Sequence, residues 1–164
     1  TVFPLSNSRP ELLQDVYVAG FPFGDKISTT VKVTKGIISS LTGIGNNFSN
    51  IQIDAALQSG NSGGPILDEF GNVVGVAVAK LDAKYMFEKF GIIPENTNFG
   101  VKASAARNLL EANRVNLKAS SNEIISKRDL SSIAADGTVY LTCWMTNAQL
   151  EQMKGKKVML GNLD

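Results

Sequence analysis

The stretch Gln58-Ser59-Gly60-Asn61-Ser62-Gly63-Gly64-Pro65 holds the residues whose types and spacing can do chemistry. Glycines on both sides of a serine admit turn conformations closed to other residues, which lifts the hydroxyl out and converges backbone N–H groups beside it. That places a nucleophile and an oxyanion-binding loop in one segment. A plain glycine-rich hairpin is the bland alternative, and the octapeptide alone does not separate the two.

What could activate Ser62 is narrowed by composition. The 164 residues include no histidine and one cysteine, Cys143. Neither a Ser-His-Asp triad nor a His/Cys metal site can therefore be assembled within this chain, and no metal or other cofactor is expected. A Ser-Lys dyad with Lys35 or Lys80 is the remaining internal option. The net charge of +1 steers the chain toward neither nucleic acid nor an anionic membrane, and no apolar run reaches the length of a membrane span. The Gly-x-Ser-x-Gly pattern formally suits an α/β-hydrolase elbow, which needs a helix after the serine. Here Pro65-Ile66-Leu67 leads to a turn at Gly71 and then to Val73-Val74-Gly75-Val76, so that reading is rejected.

The elements that must position the serine loop read as β structure. Strands are expected at 15–21, 30–41, 50–53, 64–67, 72–79 and 98–102, with Asp68-Glu69-Phe70-Gly71 turning one hairpin. Gly36, inside the long β-branched run, suggests a bulge or bend. Six short strands without long intervening helices point to a closed antiparallel barrel. Asp82 is a candidate cap for a short helix over 83–90 ended by Gly91, which makes 82–97 a long excursion of the kind that often forms a binding loop. Ser104 is a candidate cap for a helix over 105–113, with Leu109 and Leu110 on its buried side. Beyond it, 117–136 is polar and serine-rich and reads as a linker, 138–145 as a strand burying alternate residues with Cys143 as a packed thiol, and 148–154 as a helix start. Lys154, Lys156 and Lys157 read as a solvated patch.

In order along the chain, Phe21-Pro22-Phe23-Gly24, Val33-Thr34-Lys35-Gly36-Ile37-Ile38-Ser39, Ile51-Gln52-Ile53-Asp54-Ala55-Ala56, Gly60-Asn61-Ser62-Gly63-Gly64, Gly71-Asn72-Val73-Val74-Gly75-Val76 and Asn98-Phe99-Gly100-Val101 resemble chymotrypsin-fold serine peptidases, most closely the HtrA/Deg-like branch. Several motifs at matching spacing are far more specific than the serine loop alone. The resemblance runs from about Leu5 to Ser104 and is absent after Asn113. It implies an all-β fold: a six-stranded antiparallel Greek-key barrel, the second barrel of such a peptidase, with a closing helix over 1–113 and a small α+β tail over 114–164.

The resemblance also implies roles. Ser62 is the acyl-forming nucleophile, Asn61 belongs to the oxyanion loop, and the N–H groups of Gly60 and Ser62 form the oxyanion hole. Ala56 stands six residues before Ser62, where trypsin-type enzymes carry an aspartate, so the pocket should prefer aliphatic side chains. Val78, Ala79 and Lys80 should pair with the substrate backbone as an added strand, and Gly100 should line the pocket. Asn61 replaces the aspartate that receives a new N-terminal ammonium in digestive members, so activation should depend on loop ordering instead. Asp54 is expected to hydrogen-bond backbone rather than to act as a triad acid.

In this family the base histidine and its aspartate lie upstream of everything matched here. The expectation is a C-terminal half that cleaves peptide bonds of unfolded or damaged proteins when joined to an N-terminal half-barrel supplying His and Asp, and that is inactive alone. A non-catalytic peptide-binding pseudoprotease is the alternative. Homo-oligomers and a periplasmic or otherwise extracytoplasmic setting go with the same resemblance. No carboxylate-binding Gly-Leu-Gly loop of a PDZ module is found in 114–164.

Overall fold

The structure is a computed structural model and describes residues 2–24, 29–80, 83–141, 144–149 and 151. Strands β1 (Asp15–Gly20), β2 (Lys32–Ser40), β3 (Asn50–Ile53), β4 (Pro65–Leu67), β5 (Val73–Lys80) and β6 (Asn98–Lys102) close into a barrel in the order β1-β2-β3-β6-β5-β4, every neighbour antiparallel. This is the expected Greek-key barrel. Helices α1 (Ala83–Phe90), α2 (Ala103–Ala112) and α3 (Lys127–Gly137) decorate it.

The period-2 pattern of β1 explains its two-sided burial. Val16 and Val18 point inward and join Ile38, Ile51, Ile53, Ile66 and Val74 in the barrel core, while Tyr17 and Ala19 point outward into a second apolar cluster. That outer cluster is closed by Leu5, Leu67 and Val73 and by Leu130 and Ala134 of α3. Each strand has two neighbours, but the β4–β5 pairing stops at Val76, so the end of β5 runs on to Lys80 with no β4 partner.

Four expectations are corrected. First, β2 pairs with β1 straight through Gly36, opposite Val16, and the register irregularity falls between Ile38 and Ser40. Glycine is needed at 36 because a Cβ would collide with the Asp54 carboxylate and the Ala55 backbone. Second, α2 starts at Ala103 directly off β6, with Lys102 at the cap position and no side-chain cap, so Ser104 does not cap it. Its buried side is Ala103, Ala106 and Leu110, at helical spacing, and Leu109 is 66% exposed.

Third, 117–136 is no free linker. Asn72 exchanges two hydrogen bonds with Ser121, donating through Nδ2 to its carbonyl (2.9 Å) and accepting from its N–H (2.8 Å), and the N–H of Ile125 donates to the Glu69 carbonyl. The segment then enters α3, where Ser126 caps the N–H of Asp129 and donates to its carboxylate. Fourth, residues 138–141, 144 and 145 belong to no strand. Residues 147–149 and 151 are helical. Asp82, Cys143 and the lysines at 154, 156 and 157 lie outside the described residues.

Candidate active site

The serine loop hangs between β3 and β4 and is fastened to the end of β1. The N–H of Phe21 donates to the Gly60 carbonyl (3.2 Å) and that of Phe23 to the Ser59 carbonyl (2.7 Å). Gly60 (φ +100°) and Gly63 (φ +84°) take the left-handed conformations the sequence reading asks of them, and a Cβ at Gly60 would strike the Phe21 carbonyl. On the far side the N–H of Gly63 donates to the Ala77 carbonyl (2.7 Å), and the N–H of Ala77 to the Gly64 carbonyl (2.9 Å), which stitches the loop to β5.

This fastening leaves Ser62 exposed, with its hydroxyl donating to the Val78 carbonyl at 3.3 Å. Among the described residues the backbone N–H groups of Gly60 and Ser62 meet no acceptor. Free N–H donors beside an exposed hydroxyl are the kind of groups that can stabilise a developing oxyanion. Asn61 turns the other way: it is buried against Gly20, and its Oδ1 has no partner among the described residues, a state that costs about 1–3 kcal/mol.

Ser62, Gly60, Gly63 and Gly64 line one wall of a cavity of about 500 Å³. Phe3, Leu5, Val73 and Leu110 form another wall, and residues 137–141 lie along it as a strap, with the Tyr140 ring 5.8 Å from that of Phe21. Tyr140 is the one titratable side chain in this lining, so no carboxylate, imidazole or amine faces the Ser62 hydroxyl from it. Lys35 pairs with Asp15 at 2.8 Å on the outer face, outside this cavity, and the Lys80 side chain lies outside the described set.

The other expected site residues are placed as follows. Ala56 is exposed, and its carbonyl accepts from the Thr34 hydroxyl at 2.9 Å. Val78 sits where the β5–β6 register slips, between the Ala77–Gly100 and Ala79–Phe99 pairs, while Ala79 and Lys80 continue the β5 ladder opposite Phe99 and Asn98. At Gly100 a Cβ would meet Ile66 of the barrel core, so close packing also calls for a glycine there. Asp54 does hydrogen-bond backbone, its Oδ1 accepting from the Ile37 N–H at 2.6 Å. Sequence reasoning missed Asn98 as an individual. It is 5% exposed, and its Nδ2 donates to the Ala55 carbonyl at 2.9 Å. An amide at an inward position of a strand was the available signal.

A family model for the trypsin-like peptidase domain matches residues 1–76. The chain is 40% identical over 76 residues to the Do-like serine protease HtrA of Bacillus subtilis, covering 42% of this chain and 16% of that protein. Its fold matches the crystal structure of a serine endoprotease from Yersinia pestis with a TM-score of 0.52 at 28% identity, over 68% of this chain and 35% of the other. The chain has a chymotrypsin-type barrel and is similar to HtrA-like serine proteases. An uncharacterized protein, y4bJ, of Sinorhizobium fredii is 35% identical over 131 residues, which is 79% of this HtrA-like chain and 21% of that protein. The chain thus spans well under half of each of these relatives.

Proposed function

We propose that this HtrA-like chain is the nucleophile-bearing half of a serine endopeptidase acting on unfolded or damaged proteins. The observation that carries the reading is the exposed Ser62 hydroxyl between two unpaired amides, on a loop fastened to both β1 and β5. In the proposed reaction the Ser62 hydroxyl swings from the Val78 carbonyl onto the scissile carbonyl carbon. Its proton passes to a base, the carbonyl oxygen becomes an oxyanion accepting from the N–H groups of Gly60 and Ser62, and collapse expels the amine to leave an acyl-serine. The substrate extends along Val78, Ala79 and Lys80, and its side chain before the scissile bond reaches toward Ala56, whose small apolar surface offers a cation no counter-charge.

The base is the part this chain lacks, with no histidine in the sequence and no base lining the cavity. A histidine and an aspartate from an upstream half are proposed to meet Ser62 at this open face. Homo-oligomers and an extracytoplasmic setting belong to the same proposal and follow the resemblance; two Arabidopsis thaliana relatives are named chloroplastic and mitochondrial. The test treats the full-length protein with a fluorophosphonate. Labelling that disappears in Ser62→Ala is the expected result. Absence of labelling in a protein that carries both His and Asp overturns the reading in favour of peptide binding without cleavage.

A further inference from the structure

Resting on the peptidase reading, we propose that Asn98 and Thr34 are positioning residues that set the specificity pocket by clamping the carbonyls of Ala55 and Ala56. The β3–β6 ladder ends at the Ile53–Asn98 pair, yet the chain runs on for six residues before it reaches Gly60. Over that span there is no ladder to hold the backbone. Ala55 is nonetheless fully buried, so its carbonyl needs a donor. The Asn98 side chain supplies it, acting in place of the next ladder bond.

The neighbouring groups are held from the opposite strand. The N–H of Asp54 donates to the Ile37 carbonyl (3.2 Å), the Asp54 carboxylate accepts the Ile37 N–H, and the Ala56 carbonyl takes the Thr34 hydroxyl. Residues 54–56 are therefore suspended between β2 and β6 by alternating bonds. Gly36 lets β2 come close enough to make them, since any side chain there would occupy the space of Asp54 and Ala55. Ala56 is the residue facing the substrate side chain, and the oxyanion loop begins two residues later. Ala56, Asn98 and Thr34 all lie outside the lining of the cavity beside Ser62; the Asn98 amide and the Thr34 hydroxyl each donate to a carbonyl of 55–56, so each acts through the backbone it holds and not on the reacting atoms.

The prediction is about selectivity. Displacing a pocket wall by about 1 Å lowers rates by up to about a hundredfold, and one methylene's worth of fit in an apolar pocket sets about a 10- to 200-fold preference. In the full-length protein, kcat and KM are measured on two peptides that differ only in valine or phenylalanine before the scissile bond. Asn98→Leu and Thr34→Val, close in shape to the originals but unable to donate, are expected to raise KM for the valine peptide and to shrink the valine preference by about tenfold. Thr34→Ser, which keeps the hydroxyl, restores it. Asn72→Leu removes a buried amide that holds the 121 segment and the Asp68 carboxylate but no part of 54–56, and it is expected to lower Tm without touching the preference.

An unchanged preference in both Asn98→Leu and Thr34→Val, with Tm lowered as in Asn72→Leu, overturns the clamp. Should Asn98→Leu fail to fold, Thr34→Val on the partly exposed β2 decides alone. If the wild-type protein cleaves neither peptide, the peptidase reading falls first. The clamp is then judged by calorimetric binding of the same peptides, where lost preference in the variants supports it, and equal preference or no binding overturns it.

Discussion

Two irregular segments border the same cavity, and they are held in opposite ways. Residues 54–64 are tied at Asp54, Ala55, Ala56, Ser59, Gly60, Gly63 and Gly64 to partners on β2, β5, β6 and the end of β1, while the N–H groups of Gly60 and Ser62 are among those that meet no acceptor among the described residues. The strap at 138–141 has one backbone bond to a described residue, Thr138 N–H to the Ala134 carbonyl, and it buries a Thr138 hydroxyl with no partner there. Its Leu141 is 85% exposed, and Tyr140 against Phe21 is its main hold. A segment that must present donors to within a few tenths of an ångström needs its backbone tied at several points, and 54–64 is so tied even though the buried Asn61 Oδ1, like the Thr138 hydroxyl, meets no partner among the described residues. The strap carries no such requirement.

The largest break in that contrast is expected from Gly60→Ala. A left-handed alanine costs about 1–2 kcal/mol, and its Cβ also meets the Phe21 carbonyl, so the loop must move. Losing one oxyanion donor lowers rate by about 10²–10³. Fluorophosphonate labelling of the full-length protein should fall at least that far while the valine preference set at Ala56 persists. A labelling rate within threefold of wild type would falsify the tight-loop half of the comparison.

Next is Leu130→Ala in α3, which anchors the strap from behind. Leu130 is 3% exposed in the outer cluster, and its truncation should cost about 2–4 kcal/mol. Hydrogen exchange is the measurement: amides of α3 should lose protection while those of β5 keep theirs, because Val74 and Ala77 belong to the separate barrel core. Equal loss in both would mean that barrel and tail unfold as one unit.

The barrel was legible in the sequence because its strands are bounded by strong turn signals and alternate cleanly, as Val16 and Val18 against Tyr17 and Ala19 do. The serine loop was legible for a similar reason, since positive φ at Gly60 and Gly63 leaves a direct mark on composition. What was not legible depends on long-range approach. Gly36 looked like a bulge, but its reason is Asp54, which lies opposite it only once the barrel closes. Asn98 and Ala55 are 43 residues apart, and no local pattern announces their bond. The helix over 127–137 did leave a signal in Ser126-x-x-Asp129 followed by Leu130, Ile133 and Ala134, a cap and an apolar face hidden in a serine-rich stretch. The expected strand at 138–145 had the right residue types, but its described residues pair with no strand of the barrel.

Between the two segments lies the clip at Asp68, and it carries a pH dependence. Burial pushes the Asp68 carboxyl above its ordinary value, against the pull of hydrogen bonds from the Asn72 and Phe70 amides. The folded chain therefore keeps this proton to higher pH than the unfolded chain does. That contribution to stability is fully present below the ordinary aspartate range and is lost as pH rises through the raised folded value. Asp68→Asn does not titrate. Its Oδ1 still serves the amides of Phe70 and Asn72, while its new amino group faces the Asn72 amino group. In urea melts, the stability of wild type minus that of Asp68→Asn should decline as pH is raised from 3 to 6, and a rise over that interval would contradict the assignment.

The smallest effect tests the strap itself. Tyr140 is half exposed and makes one ring contact, so Tyr140→Ala should change global stability by less than about 1.5 kcal/mol, the upper worth of an aromatic pair beyond its burial. Local order should respond far more. With no ladder bonds beyond Thr138, residues 138–141 depend on that ring to stay against Phe21, and its removal should make them the first site of limited proteolysis while 54–64 stays intact. If 54–64 is cut as early as the strap, its fixed partners do not restrain it, and precision at Ser62 must then come from whatever docks on the open face of the cavity rather than from the bonds that β1, β2, β5 and β6 supply.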